Sequence, residues 1–195
     1  MIVALWLLAI QGAIGAFDTL YYHEWRAKLP ARGRLAAQEL KLHAARDFFY
    51  GVLFATLPWL AWHGAWVLVL AAVIVAEIIL TLTDFIVEIT VRKALGDVYG
   101  GERVTHAIMG ILYGAMAANL IPALIAWSHL PTALVIDPPA IPAWLRWSLV
   151  AMAAGVVVSG LRDLYAALEL PHGGWPWSVP SRARSTPGTP GTPIY

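Results

Sequence analysis

The sequence predicts an all-α polytopic membrane bundle of about five transmembrane helices, N-terminus outside and C-terminus in the cytoplasm. Three observations carry that expectation. Hydrophobic residues make up 59% of the chain and charged ones only 13%, with a mean hydropathy of +0.67, too apolar for a soluble domain. The apolar residues gather in windows that mostly lack the polar face a soluble helix shows at helical spacing. Of the 13 Lys and Arg residues, all but Arg146 fall in 25–46, in 92–103 or from Arg162 onward, which the positive-inside rule assigns to the cytoplasm.

The first window, Met1–Phe17, has no positively charged start, so it is expected to stay as a helix even though Ala13-Ile14-Gly15-Ala16 imitates a signal-peptidase site. The second, Phe48–Trp62, is only about 22 Å long as a helix, short of the roughly 30 Å hydrocarbon core. Its helix must therefore begin near His43 and draw His43, Arg46 and Asp47 into the inner leaflet. The third, Ala65–Ile89, contains Glu77, Asp84 and Glu88 at offsets of seven and eleven, with Thr81 between them, on one stripe. Gln11, Asp18 and Tyr22 repeat those offsets at the first helix. Ala107–Trp127 and Ala143–Leu168 complete the bundle, and Trp59, Trp62, Trp66 and Trp127 suit an outer aromatic belt.

Residues 1–170 thus form the bundle, and 171–195 a Pro/Gly-rich cytoplasmic tail, extended unless a partner holds it. Within that tail Trp175-Pro176-Trp177 suits a headgroup or subunit anchor. The chain has no cysteine, which excludes disulfides and thiolate metal sites. A net charge of +1 without a basic run gives no sign of a nucleic-acid partner.

Up-down connectivity gathers the ionisable residues on one membrane side, and such residues are costly in a bilayer and rarely idle. Glu39/His43 and Glu102/His106 are Glu-x-x-x-His pairs, whose spacing stacks both side chains on one helical face within reach of one cation. Asp84 and Glu88 arrive from the third helix and His23 or Asp18 from the first. The expected metal ligands are His23, Glu39, His43, Asp84, Glu88, Glu102 and His106, with Tyr22, Tyr50 and Tyr113 as catalytic proton or hydrogen-bond donors. Di-iron bundles collect carboxylates and imidazoles from four helices in this way, though with Glu and His three apart rather than four.

Arg46 is the deepest cation expected, while Arg92, Lys93 and Arg103 can snorkel to the interface. The surplus of acid then demands protons or metal. Oxygen and imidazole ligands suit iron, or else manganese or zinc. A haem b between His43 and His106 is a lesser option. His63, His129 and His172 lie elsewhere, leaving too few imidazoles for a histidine-rich hydroxylase or desaturase. No nucleophile-elbow, P-loop or dinucleotide motif is present.

The expected function is a metal-dependent oxidoreductase of the bacterial inner membrane, acting on an apolar substrate such as a lipid, quinone or carotenoid-like molecule. Zinc would instead imply a hydrolase. The competing expectations are an accessory subunit of a larger membrane complex, its polar cluster an interhelical network such as Arg46 with Glu88, and a proton or ion pathway. The expected partners are the lipid bilayer, an apolar small molecule and other membrane subunits.

Thr83-Asp84-Phe85-Ile86-Val87-Glu88, followed by Glu102-Arg103-Val104-Thr105-His106 and Tyr113-Gly114-Ala115, forms a recognisable set with Phe17-Asp18-Thr19-Leu20-Tyr21 and Glu39-Leu40-Lys41-Leu42-His43. The set resembles a family of bacterial polytopic membrane proteins, over about residues 10 to 130. That resemblance implies a topology and no activity.

Overall fold

Why Asp18 and His23 point the same way is answered by the first helix. In a computed structural model, which describes residues 1–177, α1 (Ile2–Phe17) runs without a break into a π-helical segment, Asp18–Ala27. In an α-helix two residues five apart diverge by about 140°. A π-helix bonds residue i to i+5 and stacks them. The segment ends at Lys28, left-handed at φ 53°, whose N–H donates to the His23 carbonyl. This register corrects the expected stripe: Gln11, Asp18 and His23 are buried, and Tyr22 turns toward Tyr99 instead.

After a 3-10 turn, Leu29–Leu35, α2 spans Ala37–Thr56. It starts well before Phe48 and stops short of Trp62, because Pro58 withholds the N–H another turn needs. The chain then forms a strand absent from the sequence expectations, β1 (Leu60–His63). α3 (Trp66–Val91) and α4 (Gly100–Ser128) follow. α4 begins ahead of Ala107 because Glu102 caps it, accepting from the Tyr99 N–H at 3.4 Å. β2 (Ala133–Ile136) pairs antiparallel with β1, Leu60 opposite Ile136 and His63 opposite Ala133, before α5 (Ala143–Ala167).

Among the described residues the fold is all-α apart from this ribbon, and four stretches are long and apolar enough to cross a membrane: Ile2–Ala27, Trp66–Leu95, Gly100–Ser128 and Ala143–Ala167. α2 is excluded from that class by Glu39, Lys41, Arg46 and Asp47. The helices turn Leu68, Ile86, Ile111 and Val158 outward, each at least 65% exposed, a surface suited to lipid rather than water.

Apolar side chains including Leu8, Phe54, Leu70, Met116 and Leu149 fill the half of the bundle nearer the ribbon. The polar cluster fills the other half. α2 packs most extensively on α5. At Gly160 a Cβ would come within 3.1 Å of the Ala44 carbonyl oxygen, so glycine permits the two backbones to approach. The approach brings Asp163 of α5 beside α2, so the polar core draws on five helices where the sequence suggested four. Trp177 Nε1 donates to Glu24 at 3.0 Å, and Lys28 lies 5.1 Å over its ring, which ties this part of the expected anchor to the chain itself. The remainder of the expected tail, 178–195, lies outside the described residues.

Candidate metal centre

The π-helical register and the start of α4 meet at Asp18. Its Oδ2 lies 3.3 Å from His23 Nε2 and 3.2 Å from His106 Nε2. The three residues are buried, and one ligand atom from each lies within 4.8 Å of the others. Metal bonds of about 2.0–2.2 Å place adjacent ligand atoms roughly 2.8–3.6 Å apart at tetrahedral or octahedral angles. The two measured separations fall in that interval.

Around this group stand further carboxylates. Glu88 of α3 reaches His106 Nδ1 at 3.6 Å, and Phe85 stacks on the same imidazole with ring centroids 5.4 Å apart. Glu102 Oε1 lies 3.3 Å from His23 Nε2. His43 stacks face to face on His23, with ring centroids 4.5 Å apart. His43 Nε2 in turn lies 3.3 Å from Asp84 and 3.9 Å from Glu39, while Nδ1 lies 3.8 Å from Asp163.

Two guanidiniums thread the cluster. Arg92 Nε donates to Glu39 at 2.8 and 3.0 Å and its Nη2 to Glu102 at 2.8 Å. Arg92 is 1% exposed, so it does not snorkel to the interface as expected; two carboxylates hold it inside. Arg46 donates from Nη1 to Asp84 at 2.9 Å, and its Nε lies 3.6 Å from Glu77. Its partners are therefore Asp84 and Glu77, not the Glu88 considered from sequence. The two Glu-x-x-x-His pairs do face each other, with Arg92 between their glutamates.

The structure thus divides the predicted site residues. His23, His106, Glu88 and Glu102 surround Asp18, whereas Glu39 and Asp84 are engaged by arginine and His43 stands behind His23. Tyr50 and Tyr113 pack edge to face, 5.7 Å between centroids, deeper in the bundle. Tyr50 accepts from Gln11 Nε2 at 3.0 Å. Tyr22 lies outside the cluster, its ring 6.2 Å from that of Tyr99. Asp163 was missed; the available signal was an acid inside the apolar window Ala143–Leu168.

Charge and hydrogen bonding distinguish this cluster from a closed network. Among the described residues seven acids are buried: Asp18, Glu39, Glu77, Asp84, Glu88, Glu102 and Asp163. Facing them are Arg46, Arg92 and the three imidazoles, so two negative charges are left over even with every imidazole protonated. His23 Nε2, His106 Nδ1, Asp18 Oδ1 and Asp84 Oδ1 are buried without a hydrogen-bond partner. Polar atoms left in this state need an explanation, and a cation is one.

At the rim, the loop joining α3 to α4 holds Asp97, left-handed at φ 70°. Its Oδ1 accepts from the Val98 N–H at 2.7 Å and from Arg103 Nη2 at 2.8 Å. The Val98 N–H, aided by Arg103, holds this carboxyl below its ordinary value of 3.8.

No known protein family, curated protein or solved structure matches the chain, including any that would carry the resemblance over residues 10–130 further.

Proposed function

We propose that Asp18, His23 and His106 hold a metal ion and that the chain is a metal-dependent membrane oxidoreductase acting on an apolar substrate. The observation that carries this reading is His23 Nε2, buried and within 3.3 Å of carboxylate oxygens from both Asp18 and Glu102, yet making no hydrogen bond. Two imidazoles and one carboxylate with positions left open form the ligand set typical of non-haem iron, and manganese or zinc accept the same atoms. Bound iron would supply the redox chemistry, while zinc in this set would favour hydrolysis. Glu88 against His106 Nδ1 supports it as the outer carboxylate that orients a ligating histidine. Haem b is disfavoured, since one bridging His43 and His106 would displace the His23 ring that lies against both.

In this reading α2 makes the fifth crossing, its charges turned toward the other helices, and the cluster lies on the cytoplasmic side of a bacterial inner membrane. The distribution of basic residues supports that orientation.

A structural reading also has an observation in its favour. Arg46 and Arg92 each bind carboxylates, and Arg92 joins α2 to α4 with contacts of 2.8 Å. In that case the chain is an accessory subunit whose charges hold helices together.

Elemental analysis of the purified protein separates the two. Stoichiometric iron, manganese or zinc is expected, lost in His23→Ala and His106→Ala while both variants still insert into the membrane. Protein that is folded and metal-free after growth with all three metals supplied would overturn the metal reading in favour of the network.

A further inference from the structure

Between α1, α2 and α5 lies a cavity of about 300 Å³. That is the small end of the range for ligand sites, about 300–1,000 Å³, with room for one slender chain. Its walls are mostly apolar, formed by side chains such as Phe54, Met109, Met152 and Val156. The gap exists because α1 packs chiefly on α4 and only lightly on α5. At its mouth Ala16 and Gly155 are exposed, on a surface otherwise suited to lipid. At its inner end stand Asp18 and His23.

Two buried acceptors line this cavity without a donor. Gln11, 2% exposed, donates through Nε2 to Tyr50 and leaves Oε1 unpaired. Asp18, 3% exposed, meets both imidazoles through Oδ2 and leaves Oδ1 unpaired. Buried acceptors in this state are costly, and a hydroxyl group, with its one O–H, answers one of them. Asp18, Asp47 and Asp163 line the cavity beside Arg46, His23 and His43, so an anionic head would add to carboxylates already equal in number to the cations the lining can offer.

We infer that this cavity is a slot for a single-chain apolar alcohol, entered sideways from the lipid between α1 and α5, with its hydroxyl donating to Gln11 Oε1. The inference names the substrate class of the proposed centre and rests on that reading for any chemistry done at the hydroxyl. The slot itself stands on the cavity and its unpaired acceptors.

The test uses the full chain in phosphatidylcholine nanodiscs and three photoreactive probes with a diazirine at the chain end: dodecanol, its methyl ether and the corresponding acid. Crosslinks from the alcohol should map to 12–16 and 152–156. They should exceed those of the ether and the acid by on the order of fivefold, the factor one hydrogen bond supplies. Gln11→Leu should abolish the preference of alcohol over ether. At Gly155 an added Cβ meets nothing within 4 Å, so Gly155→Leu should fill the mouth and cut labelling by all probes. Ala154→Leu, on the outward face of α5, should leave labelling unchanged. If Gly155→Leu fails to assemble, the Gln11→Leu comparison decides alone.

Equal labelling by ether and alcohol would overturn the slot, as would labels spread over lipid-facing α3 residues such as Leu82 and Ile86. Metal content measured on the same samples separates the two proposals. Alcohol-selective labelling of metal-free protein sinks the centre and keeps the slot; stoichiometric metal without selectivity does the reverse.

Discussion

Arg92 is the residue on which the cluster turns. It follows the last turn of α3, where a basic side chain would ordinarily reach for the interface, and is instead sealed between Glu39 and Glu102. Arg92→Ala leaves two buried carboxylates facing each other without a cation, and should cost about 3–5 kcal/mol. Arg92→Lys should recover little, because an ammonium lacks the planar fork that serves both partners. Thermal unfolding of the three proteins in one detergent checks the order. Asp97 gives a second, milder test. Its carboxyl is held below 3.8 when folded, so its contribution is present above 3.8 and lost as pH falls through the folded value. Neutral and mildly acidic buffers should leave the α3–α4 loop untouched. An NMR titration of Asp97 should show a depressed midpoint, and Arg103→Ala should raise it only part of the way, because the Val98 N–H remains. Asp163 apart, the sequence showed which acids and imidazoles would gather, since hydropathy and connectivity decide that. It did not show the depth of Arg92, which depends on which carboxylates face it after folding.

At the level of elements, the π-helical segment decides which side chains meet. Seven- and eleven-residue offsets describe an α-helix correctly, and along α3 they place Glu77, Asp84 and Glu88 together in the interior. Past Phe17 the first helix changes its winding, so the same arithmetic selects Tyr22 where the structure buries His23. Nothing in residues 18–27 announces that change; it follows from the packing of Asp18 and His23 against α4. One alanine inserted between Leu20 and Tyr21 should swing His23 out of the group by roughly a quarter to a third of a turn. Deleting Leu20, which is 66% exposed, shortens the separation to four residues, and an ordinary α-helix then holds the pair on one face. Metal content should therefore fall in the insertion variant and survive in the deletion variant, read by elemental analysis of each purified protein. Loss in both would mean the winding itself, and not the facing of the pair, is what the centre needs.

For the molecule as a whole, a reporter fused after Tyr195 should report a cytoplasmic C-terminus, because all basic residues except Arg146 fall in sequence segments that the positive-inside rule assigns to the cytoplasm. Activity of a periplasmic reporter at that position would reverse the orientation and move the cluster to the outer side. The bundle and four of its apolar helices were legible from hydropathy alone, a property summed over many residues. The β1–β2 ribbon was not, since its strands are four residues each and pair across the whole of α3 and α4. That ribbon constrains how the molecule can move. It stitches the α2–α3 connection to the α4–α5 connection, so at that end four helices share one hinge pin and cannot part independently. α1 has no strand in the stitch and meets α5 only lightly. The first helix is therefore the free leaf of the assembly, and a guest entering beside it would work that leaf like a door against a fixed frame.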